Sequence, residues 1–255
     1  MPPRPAVLVI AGTDSSGGAG LARDVQVLDE LSADVLCAVT AVTAQSNRRV
    51  SRVHHVPAEL VRAQIDAAFE TRRPSAIKIG MLGTGATVAA VAEGVQGYET
   101  IPLVLDPVLA ASSGGVLLDA AGCESMKRML LPRAVLVTPN VIEAGVLLAE
   151  EPAADERELY AQAQRLLALG ARAVLLKGGH SSGDEAIDWL AMPGCAPERI
   201  ASPRIRVRLR GTGCALASAI AAHLATGVPL PEACRRAKDY VTRQLRAAAE
   251  QVRSH

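Results

Sequence analysis

Six short runs of apolar, largely β-branched residues recur along this chain, and helical periodicity fills most of the intervals between them. The runs are continuous rather than alternating, which is typical of strands buried on both faces, as in a parallel sheet. Residues 19–31 and 57–69 are two intervening stretches with the period of a helix. The pattern predicts repeated βαβ units. The six runs are residues 6–11, 35–44, 76–79, 102–105, 134–137 and 173–176.

The C-terminal part of the chain predicts two further strands and a helix. Residues 185–190 and 200–209 alternate apolar and polar side chains, as exposed or edge strands do. Residues 229–252 have the composition of an amphipathic helix. No linker, repeat or low-complexity block divides the chain, and 49% of its residues are hydrophobic, enough for a sizeable core. We therefore expect a single α/β domain over residues 1–255.

The charge balance argues against nucleic acid and membranes as partners. The chain has 27 basic and 26 acidic residues, so no strong field attracts a polyanion. One Trp, three Tyr and one Phe leave few rings to stack on bases. No Cys-x-x-Cys pair occurs, and the apolar run near the N-terminus is too short for a membrane span. We expect a cytoplasmic protein that binds a small molecule.

Polar clusters follow the predicted strands. In open α/β sheets, ligands bind outside the carboxyl ends of the strands, so these clusters are expected to share one rim. We therefore predict that the ligand site lies at this rim. The clusters are residues 13–18, 45–47, 80–81, 106, 140–143 and 177–179.

The segment Gly211-Thr212-Gly213-Cys214 runs straight into a predicted helix. Two glycines allow a tight turn with several N–H groups pointing one way, and the helix dipole adds positive potential, so the segment is suited to a phosphate. Cys214 lies in the first turn, where that field is expected to lower the pKa of its thiol. A helix start with a buried cysteine would give the same sequence. Residues 83–85 form a competing cradle, but without a side chain able to move a proton.

Hard oxygen ligands lie at two other strand ends. Asp106 precedes a proline, and Asn140 and Glu143 open the helix after residues 138–139, which suggests a site for Mg²⁺ through water. Asp106 could equally be a turn former and Asn140 only a helix N-cap. Lys177 ends a buried strand, where its ammonium needs an anion: a nucleotide phosphate or a structural carboxylate.

Three other enzyme classes are disfavoured. The Gly-x-x-x-x-Gly-Lys-Ser/Thr motif of Walker ATPases does not occur. Neither Gly-Thr-Gly segment has the third glycine of the dinucleotide fingerprint of Rossmann dehydrogenases. Residues 179–183 match the Gly-x-Ser-x-Gly elbow of hydrolases, but a predicted strand follows where the elbow needs a helix. The later histidines are His223 within a helix and His255 at the end of the sequence.

Seven motifs together resemble the hydroxymethylpyrimidine/phosphomethylpyrimidine kinases of thiamine synthesis, members of the ribokinase superfamily. The resemblance runs in order from about Ala6 to the final helix. It implies a three-layer α/β/α fold with a mostly parallel sheet, MgATP as phosphoryl donor, an aminopyrimidine substrate and a homodimer. The motifs are AGTDSSGGAG at 11–20, TAQ at 43–45, KIGML at 78–82, DPV at 106–108, TPN at 138–140 with EA at 143–144, KGGH at 177–180 and GTGC at 211–214.

The resemblance also implies roles for individual residues. Gln45 would hydrogen-bond the aminopyrimidine, with Gly12, Met81 and Asp24 assigned to the same substrate site. Cys214, beside the amides of residues 211–213, would face the reacting oxygen and is the candidate base. The remaining assignments are Lys177, Gly179 and Asn140 to ATP, and Asp106 and Glu143 to Mg²⁺.

The chain departs from the family pattern at several positions. Leu209-Arg210 stands where Thr-His is common, Ala215 where Thr is common, and Ser46 where Asn is usual. A lysine often found after the Asp-Pro-Val segment is replaced around Ser112. These changes predict altered nucleotide affinity or choice. They leave open a non-catalytic pyrimidine-binding regulatory protein. The other alternative is a pyridoxal or pyridoxine kinase, because its ring is similar in size and some members of the family with this cysteine motif act on vitamin B6.

Overall fold

The six apolar runs form the parallel part of a nine-stranded sheet in the computed structural model, which describes residues 4–111, 115–178 and 183–253. The strand order is β3-β2-β1-β4-β5-β6-β7-β8-β9. Pairing is parallel from β2 to β7 across the sheet, while β3, β8 and β9 are added antiparallel at the two edges. The strands are β1 (Ala6–Asp14), β2 (Asp34–Gln45), β3 (Val50–His55), β4 (Ala76–Ile79), β5 (Leu103–Leu105), β6 (Leu136–Val137), β7 (Val174–Lys177), β8 (Glu185–Ala191) and β9 (Glu198–Pro203).

Helices cover both faces of this sheet. In β1, Val7 and Val9 pack into one apolar cluster with α1, α7 and α8, while Leu8 and Ile10 pack into the other with α2 to α6. Both faces of the strand are therefore buried, which explains its continuous apolar run. The predicted three-layer α/β/α ribokinase-like fold is confirmed. The helices are α1 (Gly20–Glu30), α2 (Ala58–Thr71), α3 (Gly85–Gly94), α4 (Ala120–Met129), α5 (Val141–Leu148), α6 (Glu156–Ala168), α7 (Thr212–Ala225) and α8 (Leu230–Arg253).

The predicted strand over residues 200–209 is wrong in its second half. β9 ends at Pro203, which pairs with Glu185, the first residue of its partner β8. The N–H of Arg204 donates to the Asp184 carbonyl at 2.8 Å, and the chain then leaves the sheet. Its alternating apolar residues, Ile205 and Val207, line a cavity instead.

The sheet brings the predicted polar clusters to one rim. The segments after β1, β4, β5 and β7 all leave the sheet at its carboxyl edge, and the β2–β3 hairpin extends beside them. This edge is where ligands bind in open α/β sheets. Among the residues that the structure describes, no helix is both long and apolar enough to cross a membrane.

Candidate active site

A cavity of about 1670 Å³ opens at the carboxyl edge of the sheet. It collects most of the site residues that the sequence predicts, although they come from distant parts of the chain. Asp24 is not in its wall, and Gly179 lies outside the described residues. The predicted residues in the wall are Gly12, Gln45, Met81, Asp106, Asn140, Glu143, Lys177, Gly211, Thr212, Gly213 and Cys214.

Gly211 shapes the segment 211–214, which the sequence predicts to bind phosphate and which is called the cradle below. It is the N-cap of α7 with φ 71°, a conformation that glycine adopts without strain. A Cβ at this position would lie 2.3 Å from the carbonyl oxygen of Gly18, so at Gly211 the backbone of the cradle lies directly against the backbone of the β1–α1 loop. The first turn of α7 thereby faces the cavity with its amide groups available to an anion.

Cys214 follows in that first turn, but its electrostatics differ from the prediction. Burial raises the pKa of its thiol to about 11, and the nearby ammonium of Lys78 offsets only part of this effect. The carboxylates of Asp24 and Asp106 raise it further. The expected lowering of the Cys214 pKa is therefore wrong, because loss of solvation and neighbouring carboxylates outweigh the helix dipole.

Lys177 joins the two candidate metal carboxylates. Its Nζ is 2.9 Å from Oδ1 of Asp106 and 4.0 Å from Oε2 of Glu143. The hydroxyl of Thr138 also donates to Oδ1 of Asp106 at 3.0 Å. The position that a Cβ on Gly213 would occupy lies 3.2 Å from Nζ, so the ammonium also borders the cradle. Lys177 thus has the structural carboxylate that the sequence offered as one alternative, and it faces the phosphate site as well.

The two carboxylates have opposite pKa shifts. Burial alone would raise the pKa of Asp106, but the ammoniums of Lys177 and Lys78 lower it below its usual range. Burial raises the pKa of Glu143 to about 7, with Lys177 opposing and Asp106 adding to the shift. Asp106 therefore carries the negative charge of this cluster near neutral pH, and Glu143 is partly protonated there.

Asn140 acts as a helix cap. Its Oδ1 accepts hydrogen bonds from the N–H groups of Ile142 and Glu143, both at 2.9 Å, and Oε2 of Glu143 accepts from the N–H of Asn140 at 2.8 Å. This capping box fixes the start of α5 at the rim of the cavity. The N-cap interpretation of Asn140 is confirmed, and its assignment to ATP stays a prediction.

Asp24 lies beneath the cavity in a buried ion pair. Its Oδ2 is 2.7 Å from Nζ of Lys78, both side chains are fully buried, and Ser218 donates to its Oδ1 at 2.8 Å. The pair connects α1, β4 and α7 under the cradle. Lys78, which reaches the cavity, is the member of the pair that a ligand could meet. Sequence reasoning missed this role of Lys78, since a single lysine in an apolar strand does not disclose its partner.

The part of the cavity around Gly12 and Met81 brings β1 close to the segment after β4. A Cβ on Gly12 would lie 2.9 Å from Sδ of Met81, so a side chain at this position would require Met81 to shift. The hydroxyl of Thr40 donates to the carbonyl of Met81 at 2.6 Å. The backbone N–H of Gln45 donates to Oγ of Ser15 at 2.8 Å, which holds the β2–β3 hairpin against the β1–α1 loop.

Arg210 extends across this same region. Its Nη2 is 3.0 Å from Oδ2 of Asp14, and its Nη1 donates to Ser16 Oγ at 2.6 Å and to Asn47 Oδ1 at 3.1 Å. Its side chain is 16% exposed. The sequence marked Arg210 as a departure on the nucleotide side, but its contacts join the cradle to the loops around Gln45. Only the fold could reveal that direction.

Two competing motifs lie elsewhere. Gly83 borders a separate depression of about 210 Å³ with His55, and the Thr84 hydroxyl caps α3 by accepting from the N–H of Thr87. The preference for the later cradle is consistent with this placement. The hydrolase-like elbow at 179–183 falls almost wholly outside the described residues.

The fold and the cavity define a small-molecule kinase with the ribokinase-like fold. The sequence model of the phosphomethylpyrimidine kinase family matches residues 14–255. The chain belongs to this phosphomethylpyrimidine kinase family.

Curated relatives agree with this family. The hydroxymethylpyrimidine/phosphomethylpyrimidine kinase of Rhizobium meliloti is 43% identical over 94% of this chain and 90% of its own length. The thiamine biosynthesis bifunctional protein ThiED of Geobacter sulfurreducens is 42% identical over 99% of this chain. This chain spans 51% of that longer protein.

Solved structures show the same fold. The phosphomethylpyrimidine kinase of Clostridium difficile superposes with a TM-score of 0.82 at 32% identity, covering 95% of this chain and all of that one. The pyridoxal kinase of Staphylococcus aureus, in complex with AMP-PCP and pyridoxal, gives 0.83 at 30% identity, covering 94% of this chain and 87% of that one.

Proposed function

We propose that this protein phosphorylates 4-amino-5-hydroxymethyl-2-methylpyrimidine and then its monophosphate, with ATP as donor, in thiamine synthesis. One observation carries the proposal: a single cavity holds the pocket of Gly12, Gln45 and Met81 together with the cradle that contains Cys214. The names of the curated relatives agree with this reaction.

The acceptor pocket suits a small aromatic ring with an amine. The amide of Gln45 can pair with an aminopyrimidine edge, because it offers both a donor and an acceptor. Met81 supplies a polarizable apolar surface for a ring. The hydroxymethyl group of a ring held here would point toward the cradle.

The cradle supplies the electrostatic part of phosphoryl transfer. The transferred group passes through a transition state with charge spread over its oxygens, and catalysis rests on positioning and charge compensation. The amides at the start of α7 and the ammonium of Lys177 can meet those oxygens.

In the proposed reaction, Cys214 would contact the acceptor oxygen. With a pKa of about 11 its thiol is protonated at neutral pH, which favours positioning over general-base catalysis. A loose transition state requires little removal of the hydroxyl proton before the phosphorus–oxygen bond breaks, so a strong base is not needed early in the reaction.

Magnesium fits the donor set as an ion held largely by its nucleotide. Within the described residues, no group of three or more His, Cys, Asp or Glu side chains has the arrangement of a metal cage. Mg²⁺ commonly binds through one or two carboxylates together with water and substrate phosphates. Asp106 and Glu143 are the carboxylates that would hold it, and the bound ion would neutralise charge on the phosphates.

A vitamin B6 kinase is the second candidate. It is favoured by the structural similarity to the Staphylococcus aureus pyridoxal kinase, whose ring substrate has a similar size. We also propose that the protein acts in the cytoplasm as a homodimer.

Product analysis separates these possibilities. The purified protein is incubated with MgATP and equal amounts of hydroxymethylpyrimidine and pyridoxine, and products are identified by mass spectrometry. We expect pyrimidine mono- and diphosphate. Phosphorylated pyridoxine alone would move the protein to vitamin B6 metabolism, and binding without any product would support the non-catalytic regulator.

A further inference from the structure

The cavity carries an excess of positive side chains. Its described lining contains twice as many basic as acidic residues, which suits a polyanionic ligand. The basic residues are Arg23, Arg48, Lys78, Lys177, Arg204, Arg208, Arg210 and Lys238; the acidic ones are Asp14, Asp106, Glu143 and Asp188.

Most of these cations already have partners. Four of them pair with a carboxylate at 2.7 to 3.0 Å: Lys78 with Asp24, Lys177 with Asp106, Lys238 with Asp188 and Arg210 with Asp14. Arg204 donates to the carbonyls of Gly183 and Glu185. Arg48 and Arg208 are exposed, so water solvates their charge.

Arg23, on the first turn of α1, differs from all of them. Its Nη1 donates to Oε1 of Gln26 at 3.3 Å, and no carboxylate of the described residues lies within ion-pair distance. Its Nε and Nη2 are shielded from solvent and have no hydrogen-bond acceptor. Guanidinium nitrogens that are shielded from water and lack a hydrogen-bond acceptor destabilise the folded protein. A bound anion would supply the missing acceptors to Nε and Nη2.

Arg23 also lies beside the cradle. Its Cγ is 3.2 Å from the position that a Cβ on Gly211 would occupy. Next to Gly211, Nη2 of Arg210 already pairs with Oδ2 of Asp14 at 3.0 Å, and only its Nε is shielded from solvent without a partner. Arg23 is therefore the guanidinium beside this glycine that has no carboxylate partner among the described residues.

We propose that Arg23 forms an anion subsite beside Gly211 that binds a phosphoryl group. The planar guanidinium can donate two parallel hydrogen bonds to phosphate oxygens. The inference rests on the proposed function, which offers two sources for this group: the phosphate of the pyrimidine monophosphate, or a phosphate of the nucleotide.

Binding measurements on variants test the subsite and identify its source. Arg23→Met, Arg23→Lys and the exposed control Arg52→Met are titrated by calorimetry with pyrimidine monophosphate, hydroxymethylpyrimidine and AMP-PCP. In Arg23→Met we expect about tenfold weaker binding of one phosphorylated ligand, with the unphosphorylated pyrimidine within about twofold of wild type. Arg23→Lys should recover part of the loss, and Arg52→Met should bind like wild type.

Other outcomes overturn the subsite. Unchanged affinity for both phosphorylated ligands would do so, and so would an equal loss for all three, which would indicate a structural role. Wild-type turnover of hydroxymethylpyrimidine, measured on the same preparation, tests the proposed function separately. Far-UV circular dichroism of each variant shows whether it is folded.

Discussion

Cys214 experiences two opposing influences on its thiol. The helix start favours a thiolate, while burial and two carboxylates favour the neutral form and raise the pKa to about 11. A neutral thiol can still position a hydroxyl group by a weak hydrogen bond. The position next to the cradle, rather than the charge of a thiolate, is therefore what this residue contributes.

Replacing Cys214 tests this role. We expect Cys214→Ala to lower kcat by about 100-fold, because misplacement of a reacting group by about 1 Å can have an effect of this size, and to leave the fold intact. Cys214→Ser should keep more activity than Cys214→Ala, because it retains a group that can donate. Cys37→Ala, which removes an exposed cysteine, is the matched control. Wild-type kcat in Cys214→Ala would exclude any role in the chemical step.

Glu143 makes stability depend on pH. Its pKa is about 7 in the folded protein and about 4.5 in an exposed carboxyl, so the folded state binds the proton more tightly. The stabilisation is complete below about pH 4.5 and is lost as the pH rises through 7, by about 3 kcal/mol.

This effect is measured by urea unfolding of the ligand-free protein between pH 5 and 8. That interval includes the pKa of Glu143 in the folded protein. We expect Glu143→Gln to lose less stability than wild type across this interval, because glutamine stays neutral. Glu70→Gln, on the exposed side of α2, should keep the wild-type slope. Parallel slopes for wild type and Glu143→Gln would contradict the assignment.

At the scale of elements, the junction between α7 and the β1–α1 loop depends on Gly211. We expect Gly211→Ala to destabilise the protein by about 3 kcal/mol, combining left-handed strain with displacement of a backbone segment, and to lower kcat/KM at least about tenfold. Gly194→Ala isolates the first contribution, since Gly194 has φ 72° and nothing within 4 Å of its Cβ position.

The Gly194→Ala variant should lose only about 1 kcal/mol and keep its activity. Chemical denaturation and steady-state kinetics measure both properties. Equal losses in the two variants would show that backbone strain alone is responsible, and that the close approach to Gly18 is unimportant.

Strands and helices follow from local patterns more closely than the site does. The run at 76–79 coincides with β4, and the predicted C-terminal helix at 229–252 matches α8 within a residue. Periodicity is a local property and appears in the sequence directly. The end of β9 could not be read in this way, because it coincides with the first residue of its partner β8.

The sequence predicted which residues lie at the site where those residues end a strand. It did not predict which of them contact one another. Asp106 and Lys177 were expected at one rim, and they meet there at 2.9 Å. The contact of Arg210 with Ser16 joins residues 194 positions apart, and no local pattern encodes it. The pKa of Cys214 was mispredicted for the same reason, since burial depends on the packed surroundings.

At the scale of the whole molecule, the Lys78–Asp24 pair joins β4 to α1 beneath the cradle, and Ser218 of α7 donates to the same carboxylate. Removing one member leaves a buried charge without its partner. We expect Lys78→Met to destabilise the protein by about 3 to 5 kcal/mol, and Lys78→Met with Asp24→Leu to recover a substantial part.

Urea midpoints of the single and double variants measure this coupling. The same proteins inform on Asp24, which the family resemblance assigned to the substrate. If the folded double variant keeps the wild-type KM for the pyrimidine, Asp24 supports the site from below without contacting the ligand. A double variant no more stable than Lys78→Met would contradict the pairing energy.

The contact between the β1–α1 loop and the cradle has a consequence for synthesis of the protein. Translation proceeds from the N-terminus, so a nascent chain exposes Ser16 and Asp14 long before Arg210 leaves the ribosome. Until then, the part of the cavity around Gln45 lacks the segment 210–214 beside it. The proposed phosphoryl transfer therefore requires that the segment around Arg210 has been made and has docked on the β1–α1 loop.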